Sequence, residues 1–392
     1  MLLQGLKVVE MATWVAAPGS AAVMADWGAE VVKVESPTGD ATRAFQPDTA
    51  ESPGNPIFSN ENRGKKGVVL DIGTPQGRDA LKLLMSQADI FITNTRPGSL
   101  KRLGLDYDSV KSAMPRLIYA AVTGYGLTGP EADVAAFDIT AFWTRSGMAR
   151  AMIPPDQEPF PSRPGFGDHV TALATVSAVL AALHERTGTG RGRLVETSLI
   201  RAGAYAIGWD LGLQLRYGEV VTTQARADRP SGISGFFRTA DDRWLCIVPR
   251  TLDCFMKMML VIDRPEVLAE PRFEPPIVDM ATTREVRAMC DEGFAKLTLA
   301  EAGARLDEQD LAWAPMATLA ELAASEMAET AGCFVTVEDG WGGSFRAPAA
   351  PARFPEGAPP VGRAAPKLGQ HTREVLEAAG LHADEIDALM RP

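Results

Sequence analysis

The segment Gly28-Ala29-Glu30-Val31-Val32-Lys33-Val34-Glu35 joins a glycine that ends one helix to a β-branched run that predicts a strand. Upstream of it, the small and apolar residues of Ala17–Trp27 predict a helix. The same order of short run, loop and helix recurs as far as Thr123, with a second helix predicted at Pro75–Gln87. The predicted strands are Leu6–Glu10, Glu30–Glu35, Gly67–Asp71, Asp89–Thr93 and Leu117–Thr123.

Strands that alternate with helices typically form a parallel, doubly wound sheet with helices on both faces. The sequence therefore predicts an α/β fold of this kind. Ligands of such sheets bind beyond the carboxyl ends of the strands. We expect the loops after Glu10, Glu35, Thr93 and Thr123 to line one crevice.

The rest of the chain predicts a smaller domain inserted into the first. A helix is expected from His169 to Arg186, and a strand at Leu194–Thr197 follows it. The helical residues expected to face the core are Val170, Leu173, Val176, Leu180 and Leu183. The predicted organisation is a large discontinuous domain (1–205 and 321–392), a linker (206–230) and a small α/β domain (231–320). A strand at Trp244–Val248 and a terminal helix at Thr372–Ala379 are also expected.

The composition excludes disordered, collagen-like and disulfide-dense small proteins. Of the 392 residues, 46% are hydrophobic and 23% are charged, which is typical of a folded globular chain. The net charge of −11 argues against nucleic acid as a partner, because a phosphate backbone is bound by a basic surface. Residues 60–105 are an exception, with eight basic and four acidic side chains, and they favour a small polyanion as ligand.

Neither a membrane partner nor a metal is expected. The longest apolar run, Val170–Leu183, is shorter than the roughly 20 residues of a membrane span. The N-terminus lacks the pattern of a secretory signal, so we expect a cytoplasmic location. Four cysteines without paired spacing predict no disulfide framework, and four histidines without an HExxH pattern predict no metal site.

Common nucleotide-binding and hydrolase motifs are missing. The loop Thr13–Gly19 after the first strand lacks the GxGxxG pattern of dinucleotide-binding proteins. The segment Arg63–Gly67 resembles a P-loop only superficially, and no GxSxG nucleophile elbow occurs. A nicotinamide dehydrogenase, an ATP hydrolase and a serine hydrolase therefore lose support.

A carboxylate at the start of the predicted long helix is the main catalytic candidate. Asp168, in Gly165-Phe166-Gly167-Asp168-His169, is expected at the N-cap, where the helix dipole favours its ionised form. One interpretation is that Asp168 only caps the helix. The other is that it acts as a nucleophile beside a glycine, with free backbone N–H groups close enough to stabilise an oxyanion. The residues by themselves leave both interpretations open.

A series of motifs in fixed order resembles the family III CoA-transferases, which include formyl-CoA transferase, carnitine CoA-transferase and α-methylacyl-CoA racemase. The resemblance runs along nearly the whole chain. Its landmarks are Leu6-Lys7-Val8-Val9-Glu10, Gly28–Glu35, Gly39-Asp40-Ala41-Thr42-Arg43, Asn62-Arg63-Gly64-Lys65-Lys66, Arg96-Pro97-Gly98, Thr123-Gly124-Tyr125-Gly126, Gly129-Pro130, Gly167-Asp168, Thr187–Gly192 and Gly369-Gln370-His371-Thr372.

The resemblance implies exchange of CoA between carboxylic acids, with Asp168 as the nucleophile that forms an aspartyl anhydride and then an aspartyl-CoA thioester. It implies an acyl-CoA and a carboxylic acid as substrates and no permanently bound cofactor. It also implies an interlocked homodimer of ring-shaped subunits, each with a large Rossmann-like domain and a smaller domain. The family's CoA-contact positions match Arg43, Arg63, Lys65, Lys66, Asn94, Arg96 and Arg102.

The acid-binding residues differ among branches of the family. Ala16 stands where formyl-CoA transferase has a glutamine, which argues against a small oxalate-type substrate. The sequence around Phe137 and Asp168 resembles the branch that acts on 2-hydroxy acids such as phenyllactate and 2-hydroxyisocaproate. The candidate substrate-binding residues are Trp14, Ala16, Tyr125, Phe137 and Asp138.

Two other functions stay open. Racemases of the family carry a histidine–aspartate pair where this chain has Phe137-Asp138, and phenylalanine cannot relay a proton. Transfer is therefore favoured over an α-methylacyl-CoA racemase or an intramolecular CoA-isomerase. An acyl-CoA-binding protein without turnover is the third hypothesis, and the intact Gly167-Asp168 pair argues against it.

Overall fold

The computed structural model describes residues 1–45, 55–219, 223–249, 251–277, 279–356 and 362–390, so residues 220–222 of the predicted linker lie outside the described residues. The strands are β1 (Lys7–Met11), β2 (Glu30–Glu35), β3 (Lys66–Val69), β4 (Ile90–Thr93), β5 (Ile118–Thr123), β6 (Leu194–Ser198), β7 (Gly235–Arg238), β8 (Trp244–Ile247), β9 (Trp313–Pro315), β10 (Phe334–Glu338) and β11 (Ser344–Pro348). The helices are α1 (Ala16–Asp26), α2 (Pro56–Asn62), α3 (Pro75–Ser86), α4 (Pro97–Leu103), α5 (Tyr107–Val110), α6 (Met148–Met152), α7 (Phe166–Thr189), α8 (Leu199–Ala206), α9 (Gly208–Tyr217), α10 (Asp253–Val261), α11 (Met280–Phe294), α12 (Leu299–Glu308), α13 (Leu319–Ala324), α14 (Glu326–Ala331), α15 (Thr372–Ala379) and α16 (Ala383–Leu389).

Six parallel strands form the main sheet in the order β3-β2-β1-β4-β5-β6. This order confirms the predicted α/β class and is that of doubly wound, Rossmann-type sheets. Of the five strands predicted in the first part of the chain, Glu30–Glu35 matches β2, and the other four differ from the observed strands by one or two residues at their ends. The order of the strands reverses between β1 and β4, which opens a crevice at their carboxyl ends.

Both faces of this sheet are covered, because successive residues of a strand point to opposite faces. Val9 and Phe91 belong to the core on the side of α3 and α15. Their neighbours Val8 and Ile90 belong to the core on the side of α1 and α7. The near-continuous apolar runs in the sequence are the result of burial on both sides.

Helix α7 packs with a face that combines small residues with part of the predicted apolar stripe. Of the five residues expected to face the core, Val176 is buried, Leu180 and Leu183 are partly buried against the same core, and Leu173 is 39% exposed. The buried face also includes Thr171 and Thr175. Their hydroxyls donate to backbone carbonyls one turn earlier, at 2.8 and 2.9 Å, so they are satisfied inside the core. Small side chains allow a close approach to α1, which hydropathy does not reveal.

By its length of 24 residues and its mean hydropathy of 1.5, helix α7 could also cross a membrane. The run Val170–Leu183 did not predict this, because the helix extends beyond it at both ends. A core helix passes the same test, and one face of α7 packs on the sheet. That the protein has no membrane partner stays a prediction.

The chain forms two compact units. The first comprises Met1–Met152, Pro159–Val220 and Glu329–Pro392, and the second comprises Ile153–Glu158 and Val221–Ala328. In the second unit, β7, β8 and β9 form an antiparallel sheet whose core includes Phe237, Met258 and Phe294.

Part of the segment 206–230, predicted as a linker, is helical in the structure. It contains α9, which ends at Gly218 in a left-handed conformation with φ +86°. Leucines at positions 211, 213 and 215 favour this helix, whereas the polar residues that suggested a linker come after it. The predicted domain boundaries themselves stay predictions.

Candidate active site

A cavity of about 540 Å³ lies at the carboxyl ends of β1, β2, β4 and β5. The loops after these strands supply most of its wall, as the doubly wound topology predicts. Six of the residues predicted to form the site line it: Trp14, Ala16, Asn94, Arg96, Phe137 and Asp168.

Asp168 is the third residue of α7 and not its N-cap, so the predicted capping position is wrong. Gly165 is the N-cap, in a left-handed conformation with φ +85°. The N–H of Gly165 donates to Oδ2 of Asp138 at 2.8 Å. Because Asp138 holds the chain ahead of the helix, the Asp168 side chain is not used for capping and lines the cavity instead.

The Asp168 carboxyl group is easily switched between its two protonation states near neutral pH. Burial raises the pKa of Asp168 to about 7, and the charge of Asp138 adds to this rise, whereas His169 opposes it. No hydrogen bond from a described residue contributes to this pKa. At neutral pH much of Asp168 is therefore ionised and uncommitted, which is the state that a carboxylate nucleophile requires.

The start of α7 is packed against a buried aromatic ring. A Cβ on Gly167 would lie 2.3 Å from Cγ of Phe142, which is fully buried in the π-helix Ile139–Arg145. Only glycine allows this approach. The contact fixes the backbone directly before Asp168. A π-helical turn is rare in proteins and is frequently found at functional sites.

The residue after Asp168 forms an ion pair that was not predicted from the sequence. Nε2 of His169 lies 3.0 Å from Oε1 of Glu61, at the end of α2. The Glu61 side chain is buried, and a Cβ on Gly19 would come within 2.7 Å of its other oxygen. The signal in the sequence was one acidic residue directly before the basic Asn62–Lys66 motif.

Trp14 and Phe137 form an apolar wall of the cavity. Their rings meet edge to face, with centroids 5.1 Å apart and planes at 86°. Trp14 has a φ of +68°, which is rare for a bulky residue. The backbone N–H of Trp14 donates to Oδ1 of Asp40 at 3.3 Å. The surrounding structure thus holds the backbone of Trp14 in an unusual conformation, and the indole ring lies at the cavity.

Asn94 holds the same loop from the other side. Its Nδ2 donates to the carbonyl of Thr13 at 2.6 Å, and its Oδ1 accepts from the N–H of Thr13 at 3.1 Å. Both polar ends of the amide are thereby used, so the structure gives Asn94 a role in positioning the loop next to Trp14.

Comparison with known proteins agrees with this geometry. Residues 3–372 match CoA-transferase family III. The chain belongs to this family. It is similar to the (R)-2-hydroxy-4-methylpentanoate CoA-transferase of Clostridioides difficile, at 32% identity over 99% of this chain and 98% of that one. The cinnamoyl-CoA:phenyllactate CoA-transferase of Clostridium sporogenes is 29% identical over 99% of this chain and 96% of its own.

The fold agrees with this assignment. A CaiB/BaiF family protein from Brucella suis is similar over 96% of this chain and 99% of its own, with a TM-score of 0.85 and 28% identity. The chain is therefore a family III CoA-transferase, an enzyme whose substrates are CoA thioesters.

Asp40, in the cavity wall of the transferase, belongs to a buried cluster of charges. Nζ of Lys33 lies 2.9 Å from Oε1 of Glu10, its cross-strand neighbour, and 3.0 Å from Oδ2 of Asp40. Nζ of Lys65 binds the other oxygen of Glu10 and the carbonyl of Pro18. Burial lowers the pKa of Lys65 to about 8. The Lys65 ammonium is committed to the fold, and the structure does not support its predicted contact with CoA.

Two arginines of the predicted CoA contacts are likewise engaged in the protein. Nε and one terminal nitrogen of Arg43 donate to the two oxygens of Glu35, at 2.8 and 2.7 Å. Arg63 is buried and pairs with Asp26 at 2.6 Å. Neither lines the cavity.

Lys66 lies at the amino end of β3, where it pairs with Glu30 and Glu374. The amino ends of parallel strands are at the opposite edge of a sheet from the carboxyl ends. The structure therefore separates Lys66 from the cavity, although it follows Lys65 in the same basic motif.

Arg96 and Arg102 are the predicted CoA contacts that are free near the cavity. Arg96 is exposed, precedes α4 and lines the cavity. Arg102 is exposed on the last turn of α4 and donates to Oγ of Ser99, another lining residue, at 2.8 Å. Neither arginine forms an ion pair with a residue that the structure describes.

Tyr125 and Asp138, both predicted to bind substrate, do not line the cavity. The ring of Tyr125 lies 5.8 Å from the guanidinium carbon of Arg145. Asp138 is buried and accepts from the N–H groups of Ile139 and Gly165. Asp138 thereby acts on the cavity only through the start of α7. Among the described residues, no three His, Cys, Asp or Glu side chains are grouped so that they could hold a metal ion.

Proposed function

We propose that this CoA-transferase moves CoA from an acyl-CoA to a free carboxylic acid, with Asp168 as the nucleophile. A carboxylate oxygen of Asp168 attacks the thioester carbonyl and the C–S bond breaks, which gives a mixed anhydride and the CoA thiolate. The thiolate then attacks the aspartyl carbonyl, releases the first acid as its carboxylate and leaves an aspartyl-CoA thioester. The acceptor carboxylate reverses the two steps and regenerates Asp168.

The half-buried Asp168 carboxylate, which lies in the cavity and pairs with no residue that the structure describes, carries this proposal. A carboxylate with a purely structural role is normally paired or hydrogen-bonded when it is buried. The first turn of α7 supplies backbone N–H groups without helical partners, and these suit the oxyanion of each tetrahedral intermediate. Exchange of one thioester for another is nearly isoenergetic, so the reaction needs no ATP.

We further propose that the acid substrate is an apolar 2-hydroxy acid. The aromatic wall of Trp14 and Phe137 favours a branched or aromatic side chain. The two relatives described above are named for acids of this apolar class.

Acceptor competition tests this assignment. We expect kcat/KM for 2-hydroxy-4-methylpentanoate to exceed that for succinate by roughly tenfold or more. Phe137→Ala should reduce this ratio, because it removes apolar surface from the cavity wall. Phe160→Ala is a matched control at an exposed ring that is not part of this wall. Equal use of both acids by the wild-type enzyme would contradict the assignment.

Trapping of the covalent intermediate tests the nucleophile. Incubation with an acyl-CoA and hydroxylamine or borohydride should inactivate the enzyme and leave an adduct on the peptide that contains Asp168, detected by mass spectrometry. Asp168→Asn should lose the adduct and roughly 10³-fold or more in turnover. Asp156→Asn, at an exposed aspartate outside the cavity, is the control and should change neither. Full turnover by Asp168→Asn would exclude the mechanism.

The same preparation distinguishes transfer from racemisation. A racemase exchanges the α-proton of its acyl-CoA with solvent even when no acceptor acid is present. We expect no deuterium at the α-carbon in D₂O without an acceptor. Exchange faster than CoA transfer would favour the racemase.

We also propose that the enzyme is a homodimer with interlocked subunits. Helix α9 buries none of its residues. Four aromatic or leucine side chains on α8 and α9 are 72–87% exposed: Tyr205, Trp209, Leu215 and Tyr217. A monomer rarely leaves such an apolar patch open, and a second copy of this chain is the proposed occupant. Light scattering should give twice the mass of one chain, and a monomer would contradict the proposal.

A further inference from the structure

Two titratable side chains follow each other on the first turn of α7 and make different contacts. Asp168 lines the cavity. His169 does not, and its Nε2 lies 3.0 Å from Oε1 of Glu61 on α2. Neighbouring ionisable groups titrate as a coupled system, so the charge on one affects the proton affinity of the other.

Glu61 is fixed in its position. Its side chain is 5% exposed, and Oε1 also accepts from Nδ2 of Asn60 at 2.6 Å. The second oxygen lies where a side chain on Gly19 would have to be, since a Cβ there would approach it to 2.7 Å. A carboxylate held in this way cannot turn to another partner, and it faces His169 across the gap between α2 and α7.

The nearby cations of the basic motif do not replace His169 as the partner of Glu61. Arg63 pairs with Asp26, and Lys65 binds Glu10. Among the described residues, His169 is therefore the cation in direct contact with the Glu61 carboxylate.

We propose that Glu61 is a positioning residue that acts on Asp168 through His169. The Glu61 carboxylate keeps the imidazole protonated, and the imidazolium favours the ionised, nucleophilic form of Asp168. This inference rests on the proposed function, because it takes Asp168 as the nucleophile.

The charges that face His169 agree with this role. The hydrogen bond to Glu61 raises the pKa of His169, and this effect exceeds the lowering by partial burial. The charge of Asp168 raises the pKa of His169 further, and that of Arg63 lowers it.

Among the charges that face Asp168, that of His169 acts in the opposite direction to the charges of Asp138 and Glu61. Burial and the charges of Asp138 and Glu61 raise the pKa of Asp168, whereas His169 lowers it. Lys65 also faces Glu61, but it is already bound to Glu10. Loss of the proton from His169 would therefore remove the cation that favours the charged nucleophile.

Histidine NMR titration tests the first link without any need for turnover. The chain has four histidines, so the imidazole signals can be assigned by single substitutions. We expect Glu61→Gln to lower the pKa of His169 by about one unit, and Asp168→Asn to lower it as well. His184, on the same helix, serves as an internal control and should not shift. An unchanged His169 pKa in Glu61→Gln would overturn the inference.

The pH dependence of kcat/KM tests the second link. His169→Gln should move the acidic limb, which reports protonation of Asp168, upward by roughly 0.5–1 pH unit. Glu61→Gln should move the limb upward by less, because it also removes an anion that raises the pKa of Asp168. Glu185→Gln, at a surface ion pair on the same helix, is the matched control and should not move the limb.

The double variant gives the sharpest outcome. In the His169→Gln background, Glu61→Gln should lower the limb, because only the direct repulsion of Asp168 by Glu61 is then left to remove. The same substitution thus has opposite effects with and without the imidazole. A loss of kcat at every pH without movement of the limb, or a shift of the same sign in both backgrounds, would overturn the inference. Absence of CoA transfer by the wild-type enzyme would instead contradict the proposed function.

Discussion

At the scale of single residues, the charged form of Asp168 lowers the stability of the folded protein, and the same carboxyl group is free to react in the cavity. Its carboxyl group is partly buried, lies near Asp138 and has a pKa of about 7. Between about pH 4 and pH 7 the folded protein retains a proton that the unfolded chain has released. The stability that depends on this group therefore falls as the pH rises through this range, and the loss is complete above pH 7.

Replacement of Asp168 should reveal this cost. We expect Asp168→Asn to exceed the wild type in free energy of unfolding by up to about 4 kcal/mol at pH 8, because the amide carries no charge to desolvate. The difference should vanish near pH 4. Urea unfolding at the two pH values measures it, with the exposed Asp156→Asn as control. A wild-type enzyme that equals Asp168→Asn in stability at pH 8 would argue against a raised pKa.

The residue scale also shows a limit of prediction from sequence. The Asn62–Lys66 motif predicted a group of CoA-binding cations, but the partners that these cations have in the structure are remote in the chain. Lys65 pairs with Glu10 and Arg63 with Asp26, 55 and 37 residues away. Local sequence cannot reveal such contacts, so buried structural cations and free ligand-binding cations look alike in the motif.

At the scale of elements, α7 was correctly predicted as a helix, whereas the residues of its buried face were predicted only in part. Hydropathy placed Leu173 in the core, but Leu173 is exposed, and the structure buries Thr171 and Thr175 there. A threonine whose hydroxyl donates to a carbonyl of its own helix can be buried like a small apolar residue. A pattern based on apolar residues alone does not predict this burial.

Gly167 tests the packing of this helix. We expect Gly167→Ala to lower the free energy of unfolding by about 1–3 kcal/mol, since its Cβ would lie 2.3 Å from the buried ring of Phe142. Gly188→Ala is the matched control on the same helix. It meets no atom within 4 Å and should be neutral or slightly stabilising. Urea unfolding measures both, and equal effects would contradict the packing described for Gly167.

At the scale of the whole molecule, sequence was most informative about the first part of the chain. Short β-branched runs separated by helices predicted the parallel sheet and the cavity at its carboxyl edge, because a short local stretch of sequence specifies each strand and each helix. The wall of Trp14 and Phe137 depends on residues more than a hundred positions apart, and only the fold brings them into contact.

The two edges of the sheet separate the cations of the basic segment into two groups. We expect Arg96→Ala to raise the KM for an acyl-CoA about tenfold, since it removes a free guanidinium from the cavity wall. Lys66→Ala, at the opposite edge, should leave that KM unchanged. Steady-state kinetics with varied acyl-CoA measures both. A similar effect of the two substitutions would contradict a CoA site at the carboxyl edge.

The half-exposed indole of Trp14 gives the enzyme a built-in optical probe. A molecule that fills the cavity would displace solvent from this ring, and the fluorescence emission of the indole should move to shorter wavelength. Seven tryptophans contribute to the total signal, so the difference between wild type and Trp14→Phe isolates the one at the cavity. Occupancy could then be followed by stopped-flow in an unlabelled protein, before any bond is made or broken.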